Sequence, residues 1–267
     1  MTGCSTSGKM QLLHAPTVFV SDVHLGCSDV HTNGLLERDF LELLRWCERE
    51  NTQIVLLGDI FDYFMAYPGY IPVISRAVLT WFEGYHQRTG VKTLYVTGNH
   101  DNWDFGYFDS VGFDTEHEYR ILQTQDGLRV MTFHGDGLRD PAFRYPRPFV
   151  HRLLRNRMFT TGFQLFTSGR TGNGAMEWFS ARSRRNDNGG EQEAKALDAA
   201  AARFLSEKRA EVVLCGHHHR VRKQNFSGLQ YMNTGAFFVD RSACLYTKGD
   251  FRLVRWDGAV KTLLTLT

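Results

Sequence analysis

The chain has 267 residues, a net charge of +2, 42% hydrophobic and 22% charged residues, a balance that suits one globular domain able to bury a full core without staples. Its five cysteines, at positions 4, 27, 47, 215 and 244, are odd in number and nowhere spaced Cys-x-x-Cys, which argues against a disulfide framework or a zinc-thiolate site and for reduced thiols in a cytoplasmic protein. No stretch approaches the roughly 18 uninterrupted apolar residues of a spanning helix, residues 1–16 lack a signal peptide's apolar core, and no repeat or low-complexity tract occurs.

Taken in chain order, residues 17–20 form an apolar run that reads as a buried strand, and Asp22-Val23-His24 follows it. Leu36, Phe40, Leu43, Leu44 and Cys47 then recur at helical spacing, predicting an amphipathic helix that ends near Arg49. A strand over 54–57 leads into Gly58-Asp59 and completes a βαβ unit. A helix is predicted across 71–86, begun by Pro72 and ended before Gly90; it feeds a strand over 93–97 and the motif Gly98-Asn99-His100-Asp101. The strand over 128–133 runs into His134-Gly135-Asp136.

The alternation then stops. Residues 141–190 hold three prolines, six phenylalanines and a Gly-x-x-Gly-x-Gly run at 169–174, and are expected to form an irregular helical cap inserted within a single domain spanning 1–267. No strand precedes that glycine run, so it is not a dinucleotide fingerprint. From Arg139 to Arg185 ten arginines stand against Asp140 and Glu177, a segment charge of +8 against −6 for the remainder. Arginine suits bidentate phosphate contact, so an anionic partner is expected. Residues 186–190 read as a turn before a helix with Ala194, Leu197, Ala201, Phe204 and Leu205 on one face. A strand over 212–215 ends at Gly216-His217-His218-His219, and short strands over 229–232, 243–246, 251–255 and 260–266 are expected to form a second sheet packed on the first.

Five motifs thus follow five strands, and open α/β sheets hold ligands outside the carboxyl ends of their strands. Asp, Asn and His donors suit manganese, zinc or iron. Two cations about 3.5 to 4 Å apart clamp a phosphoryl group and activate water, but need a shared ligand; Asp59 has two oxygens to share. Asp22, His24 and His219 are assigned to one ion, Asn99, His134 and His217 to the other, with Asp59 between. Strand alternation puts Asp22 and His24 on one side of an extended segment, and likewise His217 and His219, so His218 points away. Two ligand carboxylates leave the pair electropositive, which lowers the pKa of the water it holds. His100, spared as a ligand, is read as a catalytic donor to the phosphoryl or leaving oxygen, alongside Asp59. Asp101 is expected to orient it or, more readily, to cap the next helix. Asp62 and Asp136 are outer partners of the ligands or turn residues, while His14, His31, His86, His117 and His151 receive no role.

The ordered set Asp22-Val23-His24, Gly58-Asp59-Ile60-Phe61-Asp62, Gly98-Asn99-His100-Asp101, His134 and Gly216-His217-His218-His219 resembles the calcineurin-like metallophosphoesterase family, whose pattern it matches in full from residue 22 to 219. The resemblance implies a four-layer αββα sandwich around a dinuclear centre. His134-Gly135-Asp136 followed by an arginine-rich cap is most similar to the UDP-2,3-diacylglucosamine diphosphatase branch of lipid A synthesis, with His100 a departure from the arginine that branch carries. That branch implies manganese, release of UMP and a lipid monophosphate from a nucleotide-linked acylated sugar, and a cytoplasmic protein peripheral at the inner membrane. Candidate substrate contacts are Asn99, His100, Arg139, Arg144, Arg182, Arg185 and Asn186. Nuclease or cyclic-nucleotide phosphodiesterase activity is the alternative enzyme reading, though nucleic acid is not the expected partner; an inactive scaffold of the same fold is the reading outside catalysis.

Overall fold

The computed structural model describes residues 11–74, 76–185 and 190–266. Cys4 and Asn186 lie outside the described residues, and the side chains of Arg182 and Arg185 do too, although their backbone is helical. Chain order is β1 (Gln11–Leu12), β2 (Thr17–Val20), α1 (Val30–Arg49), β3 (Gln53–Leu56), α2 (Arg76–Thr89), β4 (Thr93–Val96), α3 (Tyr107–Ser110), β5 (Phe113–Glu116), β6 (Tyr119–Gln123) and β7 (Arg129–Phe133). A 3-10 turn at Pro141–Phe143 leads into α4 (Phe149–Leu154), α5 (Arg157–Phe166), α6 (Gly169–Arg185) and α7 (Gly190–Ser206). The chain closes with β8 (Val212–Cys215), β9 (Val221–Phe226), β10 (Leu229–Thr234), α8 (Phe237–Asp240), β11 (Ser242–Thr247), β12 (Asp250–Asp257) and β13 (Thr262–Thr265).

These strands build two sheets, ordered β13-β12-β11-β2-β3-β4-β5 and β1-β6-β7-β8-β10-β9. In the first, β2, β3, β4 and β5 run parallel; in the second, β7, β8 and β10 do. Central strands buried on both faces read as unbroken apolar runs, and the pleat sorts each run into two cores. Val18, Val20, Ile54, Leu56 and Tyr95 face Leu36, Phe40, Leu44, Val78 and Phe82 of α1 and α2. Phe19, Val55, Leu57, Leu94 and Val96 meet Leu122, Val130, Val212, Leu214 and Met232 between the sheets. Met131, Phe133, Val213 and Cys215 pack on Leu197, Ala201 and Phe204 of α7. The layers are therefore helix, sheet, sheet, helix, the αββα sandwich.

The expected second sheet from the C-terminal strands is corrected. β11, antiparallel to β2, and then β12 and β13, each antiparallel to the strand before it, extend the first sheet; of the expected strands the one over 229–232, as β10, joins the second sheet, which is built from β6 to β10 with β1. Cys244 and Tyr246 supply the reason, since they join Phe19 in the inter-sheet core. α1 starts earlier than its apolar positions announce, because Asp29 accepts from the amides of His31 and Thr32 and caps a polar first turn. α2 starts at Arg76 rather than beside Pro72.

Residues 149–185 carry the helices α4 to α6. α5 and α6 pack over a separate aromatic cluster of Met65, Tyr67, Trp103 and Met176, with Tyr70 and Phe163 against it. Gln164 and Asn173 donate to the carbonyls of Ala66 and Met65 at 2.6 and 2.8 Å. The glycine run has a packing purpose: a Cβ on Gly169 would overlap the Tyr70 ring, and one on Gly172 would overlap the Tyr67 hydroxyl. Gly172→Ala is expected to cost about 1–3 kcal/mol through overpacking, with hydrogen exchange accelerating in α6 and around Tyr67. Unchanged protection there would refute the docking role of that glycine.

Candidate metal centre

The parallel ends of β2, β3 and β4 in one sheet and of β7 and β8 in the other deliver the five motifs to one edge of the sandwich. There the donor atoms of Asp22, His24 and His219 lie close enough to share an ion, as do those of Asp59, His134 and His217. His219 Nε2 stands 3.3 Å from Asp22 Oδ1 and 3.2 Å from His24 Nε2. Donors held at about 2.0–2.2 Å from one ion stand roughly 3 to 3.5 Å from each other, so these spacings fit a ligand set. His134 Nε2 lies 3.2 Å from Asp59 Oδ2 and 3.1 Å from Asn99 Oδ1, and the same Asp59 oxygen is 3.8 Å from His24 Nε2. One oxygen thus faces both clusters.

Several contacts from outside the clusters fix how these side chains are turned. Asp22 Oδ2 accepts from the His217 amide at 2.9 Å and from the Ser21 hydroxyl, while Oδ1 is buried with no hydrogen-bond partner and is turned toward His24 and His219. The far nitrogen of His134, Nδ1, donates to the Leu57 carbonyl at 2.8 Å, which aims Nε2 inward. Asp62 stands behind His24, with Oδ1 3.3 Å from its Nδ1.

The loops approach so closely that glycine is required. A Cβ on Gly98 would overlap Asp59 Oδ1, and one on Gly216 would overlap Ser21 and Asp22 side-chain oxygens. Gly58 combines a φ of 92° with contact to His134 and Gly98. Asp22, His24, Asp59, His217 and His219 themselves adopt left-handed φ of 48° to 75°. That conformation corrects the alternation argument: both Asp-x-His and His-x-His lie beyond the strands, and turns rather than a pleat bring the paired side chains together. His218 lies outside both ligand clusters, but its ring sits only 4.9 Å from that of His217 and near Glu193.

His100 is beside the first cluster, its amide donating to Asp59 Oδ1 at 2.9 Å and its ring edge-on to His24 at 5.0 Å. Its Nδ1 faces the Asp62 carbonyl, which only accepts, so Nδ1 is a donor there. Asp101 neither orients His100 nor caps a helix. Its carboxylate takes the amides of Gly98 and Ile60, each at 2.7 Å, and the Tyr95 hydroxyl, tying the β3 and β4 loops together.

Two of the arginines expected to contact substrate lie at the surface. Arg139 is exposed and uses its amide on Glu118; Arg144 is exposed after the 3-10 turn, where Arg203 donates to its carbonyl, so it sits by the C-terminal part of α7 rather than among the histidines. Among the described side chains, Arg147 and Arg155 reach Asp136, beside the site. His151, given no role from sequence, lies with Nδ1 3.9 Å from Asp136 and its ring 6.0 Å from that of His217. Its signal was weak: one histidine in a segment without periodicity.

Electrostatics follow from crowding. Burial favours neutral His134, but the Asp59 carboxylate more than offsets it and lifts the ring to about 9. Burial likewise opposes charge on His24, which Asp22, Asp62 and Asp59 overcome, raising it well above the ordinary histidine value. Desolvation and the neighbouring His134 and His218 depress His217.

Set beside known proteins, residues 15–221 match the family described as Calcineurin-like phosphoesterase, and the chain belongs to that family of phosphoesterase hydrolases, whose members work with a dinuclear metal centre. Among relatives, a UDP-2,3-diacylglucosamine hydrolase of Neisseria meningitidis is 26% identical, covering 88% of this chain and 95% of its own. One of Ralstonia nicotianae is 29% identical over 54% of this chain and 53% of that protein, about half its length. Among solved structures, an archaeal phosphodiesterase shares 11% identity with a TM-score of 0.44, covering 89% of this chain and 98% of that one. Vacuolar protein sorting 29 from Cryptosporidium parvum shares 12% with a TM-score of 0.44, covering 94% and 95%.

Metal uptake should release protons. A proton on His134 is bound more tightly in the folded, metal-free protein than in the unfolded chain. It therefore adds stability fully below about 6.5, the unfolded value, and that stability is lost as pH rises through about 9. Metal affinity is expected to climb from pH 6 to 9, and calorimetry in buffers of different ionisation enthalpy should show net proton release at pH 7. Affinity independent of pH would contradict this.

Proposed function

We propose that the protein hydrolyses the pyrophosphate of UDP-2,3-diacylglucosamine, giving UMP and 2,3-diacylglucosamine 1-phosphate. The observation that carries the hydrolytic reading is Asp59 Oδ2 facing His24 at 3.8 Å and His134 at 3.2 Å, the geometry of a shared ligand. Asp22, His24 and His219 would hold one ion and Asn99, His134 and His217 the other, with manganese the ion of the proposed branch. When bound, such a pair stabilises charge on the phosphoryl oxygens and activates water. Water adds at one phosphorus and the bridging P–O bond breaks. As an imidazolium, His100 would donate Nδ1–H to the Asp62 carbonyl and Nε2–H to the phosphoryl or leaving oxygen.

The relatives' names support the substrate, and so does the chemistry of residues 141–190, which we read as a cap. Phe149, Met158, Leu165 and Phe166 are 77%, 86%, 77% and 90% exposed, in the segment that also holds most of the excess arginines. Apolar surface beside cationic side chains suits an acylated sugar phosphate and an anionic membrane surface. Among the described residues no helix is long and apolar enough to cross a membrane, so any membrane contact from these helices would be peripheral.

With Mn²⁺ the protein is expected to release UMP from UDP-2,3-diacylglucosamine. Asp59→Ala should fold, as judged by circular dichroism, and lose at least about 1,000-fold in kcat, since removal of the shared ligand takes away charge stabilisation worth several kcal/mol. Turnover of oligonucleotides or cyclic nucleotides, with none of the nucleotide lipid, would sink the substrate assignment and keep the hydrolase.

A further inference from the structure

Asn99 and His134 belong to different sheets. Asn99 follows β4 in the seven-stranded sheet, and His134 follows β7 in the six-stranded one. Their donor atoms nevertheless stand 3.1 Å apart, so something must fix the gap between the two loops. Arg155, the residue that closes α4, spans it. Its Nε and Nη2 donate to the two oxygens of Asp136 at 2.9 and 3.0 Å, a bidentate fork. Nη2 also donates to the carbonyl of Thr97 at 3.0 Å, and Nη1 to that of His117 at 2.9 Å. Thr97 lies two residues before Asn99 and Asp136 two residues after His134.

We propose that Arg155 is a positioning residue that sets the second ion's site, holding the Asn99 loop and the His134 loop at ligand spacing. The guanidinium suits the task because it is planar, always charged and donates in several fixed directions at once. Its side chain is only 7% exposed and Asp136 2%, so the fork is shielded from competing water. Arg147 holds Asp136 from another side, Nε to Oδ2 at 3.5 Å, but its remaining contacts go to Glu118 and the His117 carbonyl and none reaches the Thr97 loop. The first cluster is braced without Arg155, by Ser21, the His217 amide and Asp62. Loss of Arg155 is therefore selective: the Asp22, His24, His219 ion stays and the Asn99, His134, His217 ion weakens.

The proposal rests on the two-ion reading above, though not on any substrate. The experiment titrates Mn²⁺ into metal-free full-length protein, with stoichiometry by elemental analysis and the spin-coupled dinuclear signal followed by electron paramagnetic resonance. Removal of such an outer partner is expected to weaken the second ion about 10–100-fold. In Arg155→Ala one ion should bind as in wild type, the second should weaken by that amount, and the coupled signal should give way to a mononuclear one. Methylguanidinium should restore the coupled signal. Arg155→Lys, which keeps the charge and loses the fork, should show the same selective loss and guards against a truncation that fails to fold. Arg152→Ala, an exposed neighbour of equal charge, should bind both ions normally. Two ions of wild-type affinity in both Arg155 variants, or equal weakening of both ions, overturns the role of Arg155. Wild type that binds fewer than two ions overturns the two-ion reading itself.

Discussion

A single carboxylate oxygen facing two groups of imidazoles is the constraint on which the rest of the molecule turns. Asp59 Oδ2 must lie within reach of His24, on a loop from its own sheet, and of His134, on a loop from the other. Buried charges and unpaired donors are costly, so the pocket persists only where each group is held by contacts outside it. The Leu57 carbonyl holds His134, Asp62 backs His24, and the His217 amide and Ser21 hold Asp22. Asp101 then locks the Gly58 and Gly98 loops against one another from below.

That convergence dictates local backbone choices that propensity would not make. Five of the seven ligand candidates sit at left-handed φ, a conformation costing a side chain roughly 1–2 kcal/mol per residue. Strain of this kind gathers where surrounding structure over-determines it. Here the over-determination comes from three packed cores that fix the strand ends, and from glycines at 58, 98 and 216 that let neighbouring loops touch. Residues 149–185 are pinned to this frame by glycines against Tyr67 and Tyr70, by Gln164 and Asn173 on the Ala66 and Met65 carbonyls, and by the Arg155 fork on Asp136. Their exposed phenylalanines and methionine are left on the outer surface.

Much of this was legible in the chain because it is local. Apolar runs of four to six residues leading into Asp, Asn or His announced five strands within about a residue of their observed bounds. The order of the motifs announced the family, and with it the layers. Where the reading failed, the deciding contacts were distant. The C-terminal strands have no local mark saying which sheet they join; Cys244 and Tyr246 joined Phe19 because of a pairing across more than two hundred residues. Strands β5, β6 and β9 carry too much polar surface to show as apolar runs. Asp101 reads as a helix cap until its partners on the neighbouring loop are seen.

By itself, the sequence determined which donors were available and that they came at strand ends, since residue type and a period of two or 3.6 are properties of neighbours along the chain. Tertiary structure alone decided how those donors come together, which described arginines meet Asp136 and how the paired side chains come to face one another. Arg155 and Arg147 meet Asp136 because the chain around α4 is laid across the Asp136 loop. The Asp-x-His geometry arises from turns beyond the strands rather than from a pleat. The physical reason is the same in each case: a hydrogen bond or an ion pair depends on distance in space, and two sheets folded face to face bring together residues whose separation along the chain carries no trace of it.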